Sequence, residues 1–390
     1  MTKKSNRNAQ GAGSIRQRPD GRWEARYTTG RDLGTGKQIQ RSIYGKTQKE
    51  VLKKLQQVSV DIENGVYIEP EKLTVSQWLD IWLDEYTGNL KPLTITSYKA
   101  QCNNHIKPGI GAVKLSALTP AAIQKMYNKL YKENDLSAKT VKNIHGVLHK
   151  ALEQAVKIGY LRFNPASNCT LPRVYKKEIK PLDEDMIKAF MKAVETDRFK
   201  TLYIVTLFTG MRQGEILGLR WDCVDFENGT IIINKQLQRE MTKGAKYYFA
   251  PLKNDKTRVI TPAPFVLRLL RELKAAQTAQ RLQAGQTWGM NDEINNDLVF
   301  TDEIGCHLAH RTVYKHYKAI VKSIGIPEAR FHDLRHTYAV TALQNGDDIK
   351  TVQETLGHHT AAFTLDVYGH VSERMKRESA QRMEKYFKSL

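Results

Sequence analysis

Hydrophobic and polar positions alternate near the start of the chain. Residues 22–27 place charged side chains on one side and tryptophan, alanine and tyrosine on the other, which predicts a two-faced β-strand. A strand over 15–18 is joined to it through a Pro-Asp-Gly turn signal, and residues 38–44 can supply a third strand. The pattern therefore predicts a three-stranded sheet within residues 1–65.

A helical period follows the alternating one. Thr47 and Glu50 have the spacing of a capping box, which starts helices, and Gly65 is a suitable end. We expect this helix to back the sheet with one apolar side. The residues predicted on that side are Leu52, Leu55, Val58 and Ile62.

Helical periods continue over residues 73–172. A capping box at 74–77 starts the first helix, and further helices are predicted to begin near Thr94, at Thr119 followed by proline, and at Ser137. Apolar residues recur in them at three- and four-residue intervals, which indicates a shared core. The predicted core positions are Val75, Trp78, Leu79, Trp82, Leu83, Tyr86, Ile123, Met126, Tyr127, Leu130, Val141, Ile144, Leu148 and Leu152.

The periodic pattern breaks at residues 173–181, a basic stretch bounded by prolines that is typical of an extended linker. Lys176 and Lys177 lie inside it and are candidates for DNA contact. The remaining residues, 182–390, mix helical stripes with strand-like runs. Those runs are near 230–234, 247–249 and 258–261.

The charge balance indicates the kind of partner. Lys and Arg number 61 against 41 Asp and Glu, a net charge of +20, and residues 1–57 hold 14 basic and 4 acidic side chains. This excess favours a polyanion such as DNA, although RNA-binding proteins carry similar charge. No apolar run reaches the length of a membrane span, so we expect a soluble cytoplasmic protein with no membrane partner.

The basic residues of the first sheet are candidates for DNA contact. Arg16, Arg18, Arg22 and Arg26 share one predicted face, where acidic residues are sparse. A narrow basic sheet can enter the major groove of DNA. The alternative is a charged face that contacts only solvent.

The cysteines carry no signal of a metal site. They lie far apart without a Cys-x-x-Cys pair, which argues against zinc and against a disulfide framework. We therefore expect neither a metal nor a cofactor. The four residues are Cys102, Cys169, Cys223 and Cys306.

Pairs of charged residues three positions apart carry the candidate chemistry. Arg212 and Glu215 lie on one helical face, and by themselves would usually form a structural ion pair. His332 and Arg335 repeat this spacing among apolar neighbours, where two cationic groups are costly unless an anion binds. His358 follows, and Tyr368 comes ten residues after it.

Together these residue types meet the needs of phosphodiester cleavage. Planar guanidinium groups bind the non-bridging oxygens of a phosphate bidentately. The reaction also needs a nucleophile, a group that accepts its proton and a group that protonates the leaving oxygen. No carboxylate cluster with metal-ligand spacing accompanies the set, so the arginines would fill the role that Mg²⁺ has elsewhere.

Residues 206–221, 331–340 and 356–371 resemble the conserved boxes of the tyrosine recombinase family, which includes phage integrases, conjugative-transposon integrases and chromosome-dimer resolvases. The resemblance implies that 73–172 is a helical core-binding domain and 182–390 a mixed α/β catalytic domain. The N-terminal sheet is similar to the arm-binding domain of integrases from mobile elements. The expected fold is multidomain, mainly α with small β elements.

The resemblance also implies a role for each residue of the set. Two arginines clamp the phosphate, an acidic neighbour orients the first of them, one histidine assists proton transfer at the nucleophile and another donates a hydrogen bond to the phosphate. A tyrosine attacks the phosphorus. In that order, the residues are Arg212 and Arg335, Glu215, His332, His358 and Tyr368.

The family's general acid is a lysine on a β-hairpin, and two lysines here compete for that role. The spacing K-x-x-K-x-R-x-[IV] favours Lys253, although asparagine replaces the threonine that often follows the family's lysine. Lys256 is the rival. His359 could likewise substitute for His358, whereas His370 is expected to be a packing or DNA-contact histidine.

The implied reaction gives a 3′-phosphotyrosyl bond and a free 5′ hydroxyl, without metal or ATP. The resemblance further implies double-stranded DNA with core and arm sites as partner, a homotetramer, a Holliday junction intermediate and an excision factor. The chain's tail has an apolar helical stripe that can pack on its own domain or on a neighbouring protomer, and the resemblance favours the neighbour. The stripe consists of Ala380, Met383, Phe387 and Leu390.

Three alternatives stay open. A chromosome-dimer resolvase is the nearest, but such proteins generally lack a separate basic N-terminal domain. A type IB topoisomerase would carry long insertions that this chain lacks. An inactive DNA-binding regulator would have no reason to keep the complete set of reactive residues.

Overall fold

The computed structural model describes residues 14–31, 35–63, 73–175, 180–240, 246–290, 294, 297–358, 360, 362, 365 and 372–390. The chain divides into two compact units, Met1–Tyr175 and Lys176–Leu390, each described by itself below. Lys176 and Lys177, the predicted DNA contacts of the linker, lie outside the described residues. The finer domain boundaries predicted from the sequence stay predictions.

The first unit opens with the predicted antiparallel sheet. Its strands are β1 (Ser14–Gln17), β2 (Trp23–Arg31) and β3 (Gln38–Gly45), in the order β1-β2-β3. Helix α1 (Gln48–Glu63) packs on one face, and Thr47 caps it by accepting a hydrogen bond from the backbone N–H of Glu50 at 3.2 Å. The three-stranded sheet with one helix is therefore confirmed.

The phase predicted for α1 is wrong at one position. Leu52 is 43% exposed, and Val51 is fully buried in its place against Ala25 and Tyr27. Val51, Leu55 and Val58 recur at the three- and four-residue steps that define one helical face, whereas Leu52 is about 100° away around the axis. The side chain of the fourth predicted position, Ile62, lies outside the described residues.

Residues 73–175 form a helical bundle around one apolar core. The Thr74–Gln77 capping box is present, and Thr119 and Ser137 cap the helices predicted to follow them. Tyr86 is the exception among the predicted core positions, because it ends its helix and is 40% exposed. The helices are α2 (Val75–Glu85), α3 (Pro92–Gln101), α4 (Lys107–Ile110), α5 (Pro120–Lys132) and α6 (Ala138–Lys157), with a π-helical turn, Cys102–Ile106, before α4.

The second unit combines helices with two small antiparallel sheets, which confirms the predicted fold class. One sheet has the order β4-β5-β8, and the other pairs β6 with β7. The strands are β4 (Val224–Asp225), β5 (Thr230–Ile233), β6 (Lys235–Arg239), β7 (Tyr247–Pro251) and β8 (Arg258–Ile260). The helices are α7 (Glu184–Ala193), α8 (Lys200–Thr209), α9 (Gln213–Leu217), α10 (Pro264–Ala284), α11 (His310–Ser323), α12 (Asp333–Gln344), α13 (Ile349–Leu356) and α14 (Ser372–Phe387).

The central helix α8 is almost entirely buried, and α12 packs directly on it. Gly210 ends α8 with a left-handed φ of +64°, a conformation in which side chains are strained. A Cβ there would lie 2.6 Å from Leu356 and 2.7 Å from Tyr338. Glycine at this position therefore allows the end of α8 to approach α12 and the end of α13 closely.

Two observations complete the description of the fold. Within the described ranges, no helix combines the length and the apolar character needed to cross a membrane. In α14 and the residues after it, the apolar side chains of Met383, Phe387 and Leu390 are 64%, 74% and 86% exposed.

Candidate active site

The loop between α8 and α9 places the first predicted pair. Arg212 is the residue that precedes α9, and its backbone N–H donates to the Glu215 carboxylate at 2.9 Å. Its guanidinium Nη1 donates to the same carboxylate at 2.7 Å. Glu215 is 1% exposed, whereas the Arg212 side chain keeps 23% of its surface accessible. The carboxylate thus fixes both the main chain and the side chain of this arginine.

Glu215 has a second cationic partner that was not predicted for it from the sequence. Arg258, at the start of β8, donates from Nη2 to Oε2 at 2.6 Å and from Nη1 to Oε1 at 3.1 Å. Burial alone would raise the pKa of Glu215, but the hydrogen bond and charge of Arg258 and the charge of Arg212 lower it to about 2. Glu215 is therefore an anion at neutral pH, held between two arginines.

Three arginines converge on the C-terminal end of α13. Arg258 Nε donates to the Thr355 carbonyl at 2.8 Å, Arg335 Nη2 to the Leu356 carbonyl at 2.6 Å and Arg212 Nη2 to the Gly357 carbonyl at 3.3 Å. These carbonyls belong to the last turn, where a helix lacks internal donors and carries partial negative charge. Each guanidinium therefore satisfies a polar group that the helix end leaves unpaired.

Arg335 also ties this helix end to α8. It is 1% exposed, and its Nη1 donates to the Gly210 carbonyl at 2.7 Å. One guanidinium thus joins two chain reversals that are 146 residues apart, at Gly210 and Leu356. The first and third predicted sequence boxes meet through the arginine of the second.

The histidines of the site are neutral at pH 7. Desolvation by the surrounding atoms, then His336, Arg335 and Arg212, lower the pKa of His332 to about 4, and the residue keeps part of its surface accessible. Burial and the charges of Arg335 and Arg212 lower the pKa of His358 to about 3. A neutral imidazole can accept one proton and donate one hydrogen bond, as both assigned roles require.

His336 is a member of the site that sequence reasoning missed. Its ring lies 4.8 Å from that of His332 at 90°, and burial lowers its pKa to about 4. Its charge would also disfavour protonation of His332 and His358. The signal was available, because residues 332 and 336 share a helical face at i, i+4 spacing.

A cavity of about 310 Å³ opens beside these groups. Arg212, Arg258 and His358 line it, and so does Lys256. Lys253 and Lys256 are both exposed, but only Lys256 is among the lining residues, so the cavity geometry favours the rival lysine. The other lining residues are Leu252, Asn254, Thr257, Val259, Gln353, Glu354 and Gly357.

The predicted nucleophile, Tyr368, lies outside the described residues, and so do His359 and His370. The structure therefore brings together Arg212, Glu215, His332, Arg335 and His358 in one unit, and the role of Tyr368 stays a prediction.

The first unit holds a second basic cluster, on the sheet face opposite α1. Glu24 is 2% exposed, and its carboxylate accepts hydrogen bonds from Arg16 at 2.8 Å, Arg26 at 3.2 Å and Ser42 at 2.8 Å. These hydrogen bonds, that of Arg16 foremost, lower the pKa of Glu24 to about 2. Arg16 and Arg26 are half-exposed above it, so the carboxylate holds them in place.

The other two predicted arginines have different partners. Arg22 pairs with Asp20 at 2.8 Å, and the guanidinium of Arg18 lies 5.5 Å from the ring centre of Tyr44. All four predicted arginines thus lie on or beside this sheet, and both interpretations of the face, DNA contact and solvated charge, stay open.

Comparison with known proteins finds family models and relatives that match most of the chain. A family model described as "Phage integrase family" matches residues 180–375, and one described as "Phage integrase, N-terminal SAM-like domain" matches residues 74–131. A protein named "Tyrosine recombinase XerC-like" from Caldanaerobacter subterraneus is 31% identical, covering 92% of this chain and 95% of its own. The ICEBs1 integrase of Bacillus subtilis is 25% identical, covering 95% of this chain and 99% of its own.

Solved structures share the fold. The Tn1549 transposon integrase in complex with a circular intermediate DNA gives a TM-score of 0.69 at 21% identity, covering 80% of this chain and all of that one. A lambda integrase tetramer bound to a Holliday junction gives 0.55 at 18% identity, covering 89% and 96%. At these identities the likeness concerns the fold.

Glu215→Gln should destabilise the second unit by about 3–5 kcal/mol, because it leaves two arginines without the buried anion between them. Urea unfolding at pH 7 measures the change. Glu354→Gln is the matched control, since Glu354 lines the same cavity but is 64% exposed and pairs with Lys350, so its loss should cost less than about 1 kcal/mol. Equal effects of the two substitutions would contradict the assignment.

The lowered pKa of Glu215 predicts that the stability of the second unit depends on pH. The pKa of this carboxylate is lowered from 4.5 to about 2 on folding, so the stability that it contributes is fully present above pH 4.5 and is lost as the pH falls towards 2. The loss amounts to about 3 kcal/mol. The free energy of unfolding of Glu215→Gln should lack this part of the acid dependence. A slope against pH between 5 and 2 equal to that of wild type would refute the prediction.

Proposed function

The chain belongs to the phage integrase family, and we propose that it is a site-specific tyrosine recombinase that integrates and excises a mobile DNA element. The observation that carries this proposal is the convergence of Arg212, Arg335 and His358 at the end of α13. Arg212 and His358 line the cavity, where they would donate hydrogen bonds to one phosphate, and buried Arg335 adds positive charge nearby. The relatives named as integrases favour the mobile-element role.

In the proposed first step, the hydroxyl oxygen of Tyr368 attacks the scissile phosphorus. The bond from phosphorus to the 5′ oxygen breaks, the phenolic proton passes to neutral His332, and a lysine gives a proton to the departing 5′ oxygen. Guanidinium groups and His358 stabilise the charge that develops on the non-bridging oxygens. A 3′-phosphotyrosyl bond and a free 5′ hydroxyl result.

Strand joining is the reverse attack by a 5′ hydroxyl of the partner DNA. Because the phosphotyrosyl bond keeps the energy of the broken phosphodiester, we propose that the reaction needs neither ATP nor a metal ion. The pre-formed arginine cluster supports this, since it offers positive charge where a metal would otherwise provide it.

The proposed assembly is a homotetramer on two DNA core sites, with a Holliday junction between two rounds of strand exchange. The tetrameric state of the lambda integrase on such a junction supports it. Exposed Met383, Phe387 and Leu390 support the proposal that the tail packs on a neighbouring protomer. We further propose that an excision factor sets direction and that the reaction takes place in the bacterial cytoplasm.

A chromosome-dimer resolvase is the second candidate, because the relative at 31% identity is named XerC-like. The sheet of residues 14–45 distinguishes the two. It adds a basic surface ahead of the helical bundle, which suits the recognition of separate arm sites in an element's ends.

Tyr368→Phe tests the nucleophile. Wild-type protein incubated with a nicked duplex from the element's end, in the presence of EDTA, should form an adduct that survives SDS and disappears with protease. The Phe variant should form none, because it lacks the attacking oxygen, while binding the duplex with wild-type affinity. Absence of the wild-type adduct, or an equal amount with Tyr368→Phe, would reject the mechanism and favour an inactive regulator.

A substrate with a modified leaving group can show which of the two lysines is the general acid. A 5′-bridging phosphorothioate needs little protonation, so it should restore cleavage to a variant that lacks only the general acid. Lys253→Ala and Lys256→Ala are compared on the sulfur and oxygen substrates. Rescue of Lys253→Ala would support the motif, and rescue of Lys256→Ala would support the cavity geometry.

Arg16→Ala with Arg26→Ala tests the arm-binding proposal. Loss of two phosphate contacts should weaken binding to arm-site duplex and reduce the slope of log K against log salt by about 2. Fluorescence anisotropy over a salt series measures this. Lys53→Ala is the control, because Lys53 is an exposed residue of α1, on the opposite side of the sheet. An unchanged slope would indicate that the face contacts only solvent.

A further inference from the structure

Arg258 is the most constrained cation of the site that the proposed mechanism does not use. Its side chain is 10% exposed, and it makes three hydrogen bonds: two to Glu215 and one, from Nε, to the Thr355 carbonyl. Its partners come from two different helices, α9 and α13. One side chain at the start of β8 therefore connects the two elements that carry Arg212 and His358.

The contacts of Arg258 and Arg212 with Glu215 are unequal. Arg258 engages both carboxylate oxygens in the bidentate geometry that is strongest for this pair. The Arg212 guanidinium makes one contact with the carboxylate, at 2.7 Å through Nη1, and it keeps surface towards the cavity. Arg258 thereby takes the larger share of the anion's charge, which leaves Arg212 available to bind a phosphate.

The same side chain also supports the turn that precedes His358. Gly357 has a left-handed φ of +63°, and a Cβ at this position would lie 3.1 Å from Cδ of Arg258. The turn therefore rests closely on the arginine stem while the Nε–H holds the Thr355 carbonyl. Displacement of Arg258 would remove the donor to the Thr355 carbonyl and the support beneath Gly357, the residue that directly precedes His358.

We propose that Arg258 is a positioning residue for phosphoryl transfer, which sets Arg212 and the His358 turn at the correct distance from one another. It acts through Glu215 and Thr355 and does not itself contact the phosphate. The inference rests on the proposed recombinase function, because it concerns the same site.

Single-turnover cleavage of the nicked duplex tests the inference. Arg258→Gln should reduce the cleavage rate about 100-fold, the effect expected when reacting groups are displaced by about 1 Å. Its Kd for the duplex should stay within about 3-fold of wild type, because α1–α6 and the phosphate arginines are unchanged. Arg271→Gln is the matched control, since that exposed arginine donates to the Phe226 carbonyl away from the site and should cleave normally.

A double-substitution cycle separates positioning from general damage. If Arg258 acts in part through Glu215, Glu215→Gln with Arg258→Gln should cleave faster than the product of the two single effects predicts, because Glu215→Gln already removes one of the two routes. Ethylguanidinium added to Arg258→Ala should also restore part of the rate. Arg258→Lys keeps the charge without the bidentate fork, and its rate should lie between those of wild type and Arg258→Gln.

The outcomes distinguish the inference from the function on which it rests. No adduct with wild type would overturn both. If the wild type cleaves, three outcomes would overturn the inference alone. They are an unchanged cleavage rate of folded Arg258→Gln, multiplicative effects in the double-substitution cycle, and a loss of duplex affinity in Arg258→Gln as large as its loss of cleavage rate. If Arg258→Gln fails to fold, the rate of Arg258→Lys decides, and a wild-type value overturns the inference.

Discussion

The site depends on the hydrogen bonds that three arginines make to successive carbonyls at the end of α13. Like charges gathered without an anion repel one another, and burial increases the cost. The carbonyls of residues 355–357 and the carboxylate of Glu215 offset that repulsion before any DNA arrives. The arginines are therefore held in place in advance, so that little reorganisation would be needed for the phosphate binding that we propose.

The same cluster contributes to the protonation states of the histidines. Burial foremost, and then neighbouring positive charge that includes Arg335 and Arg212, lowers the pKa of His332 and His358 far below 7. A protonated His332 could not accept the proton of an attacking hydroxyl, whereas the neutral ring can. In the proposed mechanism, the arginine charges that would bind a phosphate therefore also help to keep the base unprotonated.

The sequence predicted features that depend on local spacing. Capping boxes, strand alternation and residue pairs three apart gave the N-terminal sheet, the helical bundle and the pair Arg212 and Glu215. The buried face predicted for α1 was wrong at Leu52. The apolar residues of this helix fit either of two neighbouring faces, and Leu52 lies on the exposed one. The role of Arg258 was inaccessible for a different reason: its partners lie 43 and 97 residues away on two helices, and tertiary packing rather than sequence spacing brings them together. The prediction that Tyr368 is the nucleophile depends on its sequence motif alone.

Glu24 and Glu215 show that the chain uses one device twice. Each is a carboxylate 1–2% exposed whose pKa is lowered to about 2, at Glu215 by two arginines and at Glu24 by Arg16, Ser42 and Arg26. The arginines keep part of their surface accessible. An arginine loses considerable side-chain entropy when it is ordered on a ligand. A buried acid that orders the guanidinium in advance removes much of that cost from the binding step. The arginines over Glu24 are therefore better suited to a rigid polyanion than the same residues on a mobile chain would be, which supports the DNA contact that we propose for this face.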